Sequence, residues 1–386
     1  MKIGIDCRAL QEAYPSGVSQ YTKGLVESVL QYADPENYEF VLFFSGQSLR
    51  APAERKRIVD QLHIPETAHI TWKFRSIPNK LLTAASFFGF PSLRQLFGDV
   101  DVVIQPNLQF TPLSDDIPVI QVVHDFSFVR MSEEQSVKSV VRHWLLRPRA
   151  QLHHAAEVVA VSLATFADAQ VIYTLPADQI SVTYPGVPLR SDVDAPVDIQ
   201  ATYGIDPRQP TIVAVGTIEP RKNTTALIDA FTQLQQSHPT AQLVLIGKFG
   251  YRADEIAERV QGNTQIHVLD YASDAALQQL YANATVCVYP SLFEGFGFPP
   301  LEAQMHGVPV IAGFHSSLQE TLHDSVLWCD VLDSKSLSRA IRGIIEDREL
   351  RERYQLLGKK NTERFSWEHF AQRTLESCER VIRLNG

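Results

Sequence analysis

This sequence is poor in the features that would tie a chain to a metal, a bilayer or a nucleic acid. Its four cysteines, Cys7, Cys287, Cys329 and Cys378, form no C-x-x-C pair and have no histidine at metal spacing. That excludes a zinc ribbon and a disulfide framework. Cys7, Cys287 and Cys329 lie in or beside apolar runs, as buried free thiols of a reducing compartment do. No apolar run is long enough to span a bilayer, and Met1-Lys-Ile-Gly-Ile-Asp6 enters a strand directly, so a cytoplasmic location is expected. Positive charge is not in excess: the formal net charge is -9, which argues against nucleic acid as a general partner. Low-complexity runs are missing as well. No D-x-D pair ends a strand, and Asp115-Asp116 falls in a polar loop before Pro118, so neither a metal nor another cofactor is expected.

What remains is an ordinary globular composition, 45% hydrophobic and 20% charged, over 386 residues, a length that suits two domains. Short β-branched runs alternate with helical patterns throughout, the signature of parallel sheets covered on both faces by helices. Strands are expected near Lys2 to Asp6, Phe40 to Phe44, Ile70 to Phe74, Val102 to Ile104, Val119 to Val123, Val158 to Val161 and Ile180 to Thr183. A second set runs through Thr211 to Val215, Leu243 to Ile246, Ile266 to Leu269, Val286 to Tyr289 and Val308 to Ile311, followed by helices to the end. Between the sets, Pro188 to Pro210 reads as a linker. The economical architecture is α/β, two Rossmann-like domains facing each other across a cleft, over residues 1–190 and 191–365, with a last helix over 366–386. Ligands of such sheets bind outside the carboxyl ends of the strands.

The most informative stretch is Tyr289-Pro-Ser-Leu-Phe-Glu294-Gly-Phe-Gly-Phe-Pro-Pro-Leu-Glu302, continued by Ala-Gln-Met-His-Gly307-Val-Pro-Val-Ile-Ala312. It predicts a strand, a glycine-rich loop, a short helix opening on Pro299 and Pro300, and a stop at Gly307. A helix N-terminus favours anions, and Gly295 and Gly297 let a ligand approach the backbone. Glu294 and Glu302, spaced E-x7-E, would repel an anion but accept hydrogen bonds from neighbouring hydroxyls. A nucleotide-sugar has this shape, anionic in the middle and polyhydroxyl at both ends.

Here the sequence resembles the retaining glycosyltransferases of family four, with the GT-B fold, and in particular bacterial mannosyltransferases. The resemblance implies that Glu302 holds the donor ribose. It also implies that Glu294 binds the transferred sugar with backbone amides around Gly295, Phe296, Gly297, Phe298 and Leu301. In that fold the N-terminal domain takes the acceptor, the C-terminal domain takes the donor, and the helix from Ser366-Trp367-Glu368 crosses back to the first domain.

Other motifs fall at predicted strand ends. Val213-Ala-Val-Gly216 leads to Glu219-Pro-Arg221-Lys222-Asn223, with Asn223 read as a helix N-cap. A planar guanidinium and a mobile ammonium suit the phosphates of a departing nucleoside diphosphate. Lys248 and Tyr271 end two further strands as walls of a base pocket. Pro15-Ser-Gly17 precedes a helix and, by the resemblance, faces the donor phosphates. Gln105-Pro-Asn107 and His124-Asp125 end two strands of the first half; the resemblance assigns His124 to the donor sugar or the acceptor, and Asp125, with Asn107, to the acceptor. Ala160-Val-Ser162 and Tyr184-Pro-Gly186-Val187 match further landmarks, the latter usually reading Pro-Asn-Gly-Val.

Two basic and aromatic segments admit two readings, a rest on an anionic membrane or a solvated face. One is Arg50, Arg55, Lys56, Arg57, Lys73, Arg75, Lys80 and Arg94 with Phe87, Phe88 and Phe90; the other is Lys138, Arg142, Trp144, Arg147 and Arg149 around Pro148. The expected activity is retaining, metal-independent transfer of a hexose to a glycan or lipid-linked acceptor in cell-surface polysaccharide synthesis, GDP-mannose being the favoured donor. UDP- or dTDP-sugar transfer, a nucleotide-sugar epimerase, a phosphorylase and a non-catalytic sugar-nucleotide sensor are the rivals. Glu294 is also the one obvious candidate for a covalent nucleophile, a role the resemblance argues against.

Overall fold

The computed structural model describes residues 1–12, 14, 16–86, 90–188 and 197–385. Pro15, Phe87, Phe88 and the linker positions 189–196 lie outside the described residues. Unit 1 comprises Met1–Phe126, Lys138–Gly186 and Phe365–Gly386, and unit 2 comprises Ser127–Val137 and Val187–Arg364.

Unit 1 is built on a parallel sheet of β1 (Lys2–Asp6), β2 (Glu39–Ser45), β3 (Ile70–Arg75), β4 (Val102–Gln105), β5 (Val119–Val123), β6 (Glu157–Ala160) and β7 (Ile180–Val182). The order is β3-β2-β1-β4-β5-β6-β7. Continuous apolar runs such as Phe40-Val-Leu-Phe-Phe44 are buried on both faces, as a helix-covered parallel sheet requires. Unit 2 holds β8 (Thr211–Val215), β9 (Gln242–Ile246), β10 (Ile266–Leu269), β11 (Val286–Tyr289), β12 (Val310–Gly313) and β13 (Leu327–Cys329), ordered β10-β9-β8-β11-β12-β13. Its core gathers Leu227, Phe231, Leu243, Leu245, Val286, Val288 and Ile311 between sheet and helices.

Both sheets reverse winding direction beside their first strand, between β1 and β4 and between β8 and β11. At such a switch point the connections leave in opposite directions and open a crevice at the carboxyl ends. Two expectations need correction. The chain does not turn purely helical after Glu320, because Leu327–Cys329 adds a three-residue edge strand, too short and too half-buried to show a periodicity. β12 begins at Val310 rather than Val308, since Pro309 has no amide hydrogen for the ladder.

The last helix, Trp367–Asn385, packs on the first, Gly17–Tyr32, inside unit 1. Trp367 fits there because two glycines leave room: a Cβ on Gly24 would lie 2.1 Å from its Cη2, and one on Gly186 2.5 Å from its Cγ. Among the described residues no helix is long and apolar enough to cross a membrane. Replacing Gly24 by Ala should gain about 1 kcal/mol of helix propensity. Overpacking against Trp367 should outweigh it, leaving a net loss of about 1 to 2 kcal/mol. Urea unfolding of Gly24→Ala checks the sign; a variant more stable than the parent would show that Trp367 is not held in that slot.

Candidate active site

At the switch point of the second sheet, Gly216 follows β8 and Tyr289 ends β11. Gly216 has φ +140° and Gly247, after β9, φ +149°; a Cβ on Gly247 would sit 2.1 Å from the Gly216 carbonyl oxygen, so only glycine allows the two strand ends to run this close. The loops stay paired beyond the sheet, with Gly216 N donating to Ile246 O at 2.9 Å and Ile218 N to Lys248 O at 2.8 Å. This carries the turn Pro220–Lys222 to a fixed place above β11, where Leu292 N donates to Arg221 O at 2.9 Å.

The side chains there form a knot. Lys222 Nζ donates to a carboxylate oxygen of Glu294 and, at 2.9 Å, to the Tyr289 hydroxyl, which itself donates to the same oxygen at 2.9 Å. Arg221 Nη1 donates to Phe293 O at 2.8 Å and lies 3.4 Å from Glu294 Oε2, while its Nη2 lies 2.9 Å from Glu219. The backbone of Glu294 is clamped as well: its amide donates to Ser316 Oγ at 2.8 Å, and its carbonyl accepts from Ser317 Oγ at 2.9 Å. Glu294 is only 8% exposed. Burial works to raise its pKa, but Lys222 and Arg221 outweigh it and hold the carboxyl at about 2. Burial pulls the Lys222 ammonium below its ordinary value, with Glu294 opposing. It also pushes the Tyr289 phenol well up, so that group stays protonated and donating.

Beyond Glu294 the loop enters the helix Phe298–Met305, with Gly297 at the N-cap in the left-handed region (φ +91°) and Gly307 past its end at φ +74°. Pro299 and Pro300 carry no amide hydrogen, so the donors at this end belong chiefly to Gly295, Phe296, Gly297 and Phe298. Leu301 is fully buried in this helix. Glu302 is 2% exposed and lies near Cys287, whose thiol is pushed up to about 12, first by burial and then by the Glu302 charge. Lys248 and Tyr271 are exposed on the loops after β9 and β10. A small cavity beneath the knot is lined by Gly216, Thr224, Leu227, Tyr289 and Ser291.

The remaining expected residues belong to unit 1. Gly17 opens the helix Gly17–Tyr32, capped by Ser16, whose Oγ accepts from Ser19 N at 3.2 Å. Asn107 follows β4 and accepts a hydrogen bond from Gln109 Nε2. His124 follows β5, edge-on to Tyr21 with centroids 4.7 Å apart. Its Nε2 lies 2.7 Å from Pro106 O, which can only accept, so Nε2 carries the proton and Nδ1 is an acceptor. Burial lowers the His124 pKa and keeps this neutral form near pH 7. Asp125 follows it, half-buried.

Sequence reading left out Tyr289, Glu219, Ser316 and Ser317, four partners of the knot. Glu219 and Tyr289 reach Arg221 and Glu294 from two and five residues away, whereas Tyr289 with Lys222 and Ser316 with Glu294 join loops 67 and 22 residues apart in sequence, which no local pattern reveals. Asn223 occupies the N-cap position but does not cap: it takes φ 54° and gives its Nδ2 to Val331 O at 2.8 Å.

Residues 198–361 match the sequence family described as Glycosyl transferases group 1. Among curated proteins, the O-antigen chain mannosyltransferase B of Escherichia coli is 36% identical over 167 residues, 42% of this chain and 44% of that protein. The match thus spans less than half of that relative's length. Among solved structures, a sucrose-phosphate synthase of Thermosynechococcus elongatus superimposes with a TM-score of 0.73 at 20% identity, covering 99% of both chains. An Anabaena protein crystallised with UDP and glucose gives 0.71 at 18% identity, covering 98% of this chain and all of that one. These likenesses show the GT-B fold.

Because the folded pKa of Glu294 lies below its ordinary 4.5, its contribution to stability is complete above about pH 4.5 and is lost as the pH falls toward 2. Glu294→Gln, which strands a buried ammonium, should cost about 3 kcal/mol near neutrality. The difference from the parent should narrow steadily between pH 4.5 and 2 in urea titrations. A pH-independent difference would show that charge pairing is not what holds the knot.

Proposed function

We infer that this chain, whose residues 198–361 match the family described as Glycosyl transferases group 1, moves a hexose from a nucleotide diphosphate sugar to a hydroxyl acceptor with retention at the anomeric carbon. The observation that carries the reading is the knot of Arg221, Lys222, Tyr289 and Glu294 at the switch point of the second sheet. Two cations stand where a diphosphate can take them over, and the carboxylate they neutralise would then turn to sugar hydroxyls. Gly216 and the amides of Gly295 to Phe298 would receive phosphate oxygens, Glu302 the ribose, and Lys248 and Tyr271 the base.

Charge arithmetic favours same-face substitution over a covalent intermediate. A carboxylate held at about 2 by two cations is a weak nucleophile. In the proposed step the bond from the anomeric carbon to the diphosphate oxygen breaks while a bond to the acceptor oxygen forms on the same face. The acceptor proton passes to a phosphate oxygen. Arg221 and Lys222 stabilise the charge growing on the leaving diphosphate, a task a divalent ion would otherwise perform, and we propose turnover without metal. In unit 1, Gly17 would serve the donor phosphates, and neutral His124 would accept a hydrogen bond from a sugar or acceptor hydroxyl through Nδ1. Asp125 and Asn107 would serve the acceptor.

Mannose from GDP-mannose, added to a growing cell-surface glycan or its lipid-linked precursor on the cytoplasmic side, is the preferred reading, supported by the likeness to an O-antigen chain mannosyltransferase. The structural neighbour holding UDP and glucose keeps a uridine donor as the second reading. A thermal-shift series of GDP-, UDP- and dTDP-sugars, run in EDTA, tests both: GDP-mannose should raise the unfolding midpoint most. A shift confined to UDP-sugars would select the second reading, and a shift that requires a divalent ion would remove the metal-free step. Arg221→Ala should lower turnover by about 100-fold or more, far beyond what the modest fall in unfolding midpoint from losing its bonds to Phe293 O and Glu219 would explain. Equal activity in both proteins would take Arg221 out of the mechanism.

A further inference from the structure

The helix Val137–Leu145 buries none of its residues. On it Val137, Val140, Val141 and Trp144 recur at i, i+3, i+4 and i+7 and form one apolar stripe, all four exposed, Val137 to 78% and Trp144 to 76%. A nine-residue helix that buries nothing has little stability of its own in water. Lys138 and Arg142, one turn apart, flank the stripe, and Arg147 and Arg149 follow it; these four cations are exposed and enter no ion pair among the described residues. The chain as a whole carries a net charge of -9, so this concentration of positive charge is local. Ser86 and Leu145 line one small cavity, which sets the end of the helix Asn79–Ser86, with its exposed Leu81 one turn back, beside the last residue of this helix.

The longer basic run from Arg50 to Arg94 is different. Lys56 pairs with Asp60, Arg57 with Glu54 and Arg94 with Asp99, and Arg55 donates to Leu49 O over the Phe74 ring. Those cations are largely committed within the protein. Of the two segments that could rest on a membrane, the structure selects the second.

We propose that the helix Val137–Leu145 lies in the plane of an anionic lipid surface, its Val137, Val140, Val141 and Trp144 stripe at the acyl boundary and Lys138, Arg142, Arg147 and Arg149 on the headgroups. An apolar stripe flanked by cations matches the two-layered chemistry of such a surface, apolar below and negative above. The inference does not depend on the transfer reaction, and its test needs no sugar donor.

The experiment is sedimentation of the full chain with vesicles of phosphatidylcholine, alone or mixed with phosphatidylglycerol, together with tryptophan emission. The parent should bind the mixed vesicles with a blue shift, weaken as salt is raised, and ignore phosphatidylcholine alone. Trp144→Phe should keep binding and lose the shift. Replacing Lys138 and Arg142 by Ala should weaken binding roughly 30-fold, about fivefold for each cation removed. Val141→Asp with Trp144→Asp should abolish it. Failure to bind mixed vesicles, equal binding to both kinds, or binding that survives the double aspartate variant would overturn the proposal. So would a lipid-free dimer, seen by sedimentation velocity and broken by the aspartates, since a second copy would then be the occupant.

Discussion

One buried ion pair, Lys222 with Glu294, sets the arrangement of the second unit's working face. Neither charge could stay in so enclosed a place alone, because stranding one of them costs several kcal/mol. Each therefore fixes the other, and the fold fixes both: Gly216 and Gly247 bring two strand ends together, the Pro220–Lys222 turn rides on them, and Ser316 and Ser317 grip the backbone of Glu294. Tyr289 makes the pair a triangle, donating to the carboxylate while accepting from the ammonium. The site is thus electrically balanced, with Glu219 and Glu294 answering Arg221 and Lys222. An incoming anion has to exchange partners with this set, which favours a ligand that brings both phosphate oxygens and hydroxyl donors.

Much of this was legible in the chain. Twelve of the thirteen described strands announce themselves as short β-branched runs between turn residues. The E-x7-E stretch, read with Arg221 and Lys222, named the main groups of the knot. Contacts between loops were not legible, because hydrogen bonds such as those of Tyr289, Ser316 and Ser317 follow from tertiary approach and leave no periodicity. Asn223 shows a local rule overridden: its side chain is drawn away from the helix start to a distant carbonyl, that of Val331. Leu301 is a motif position whose side chain is fully buried.

The first unit offers a parallel lesson. Asp6 and Arg8 end β1 at its own switch point, where Arg8 grips Asp6 through Nε and Nη2 and reaches Phe110 O at 3.2 Å. That pair ties the loop after β1 to the loop after β4. His124 is held from behind by a run of rings: Trp367 lies edge-on to Phe370, Phe370 to Tyr21, and Tyr21 to His124, with centroids 5.2, 5.4 and 4.7 Å apart. The Tyr184-Pro-Gly186 landmark gains a physical meaning here. Gly186 makes room for Trp367, and Tyr184 lies edge-on to Phe365, so the landmark is a seat for the last helix.

That seat has an implication for how the protein is made. Gly24 and Gly186 leave the ribosome early, whereas the indole that fills the space between them emerges only after the whole second sheet has been translated. At ordinary elongation rates the wait is on the order of ten to forty seconds. During it the nascent first unit carries an open apolar notch over the helix that supports His124, while the second unit, nearly continuous in the chain, is free to complete itself. In the order of translation, then, the slot between Gly24 and Gly186 is filled by a side chain that emerges after the whole second sheet.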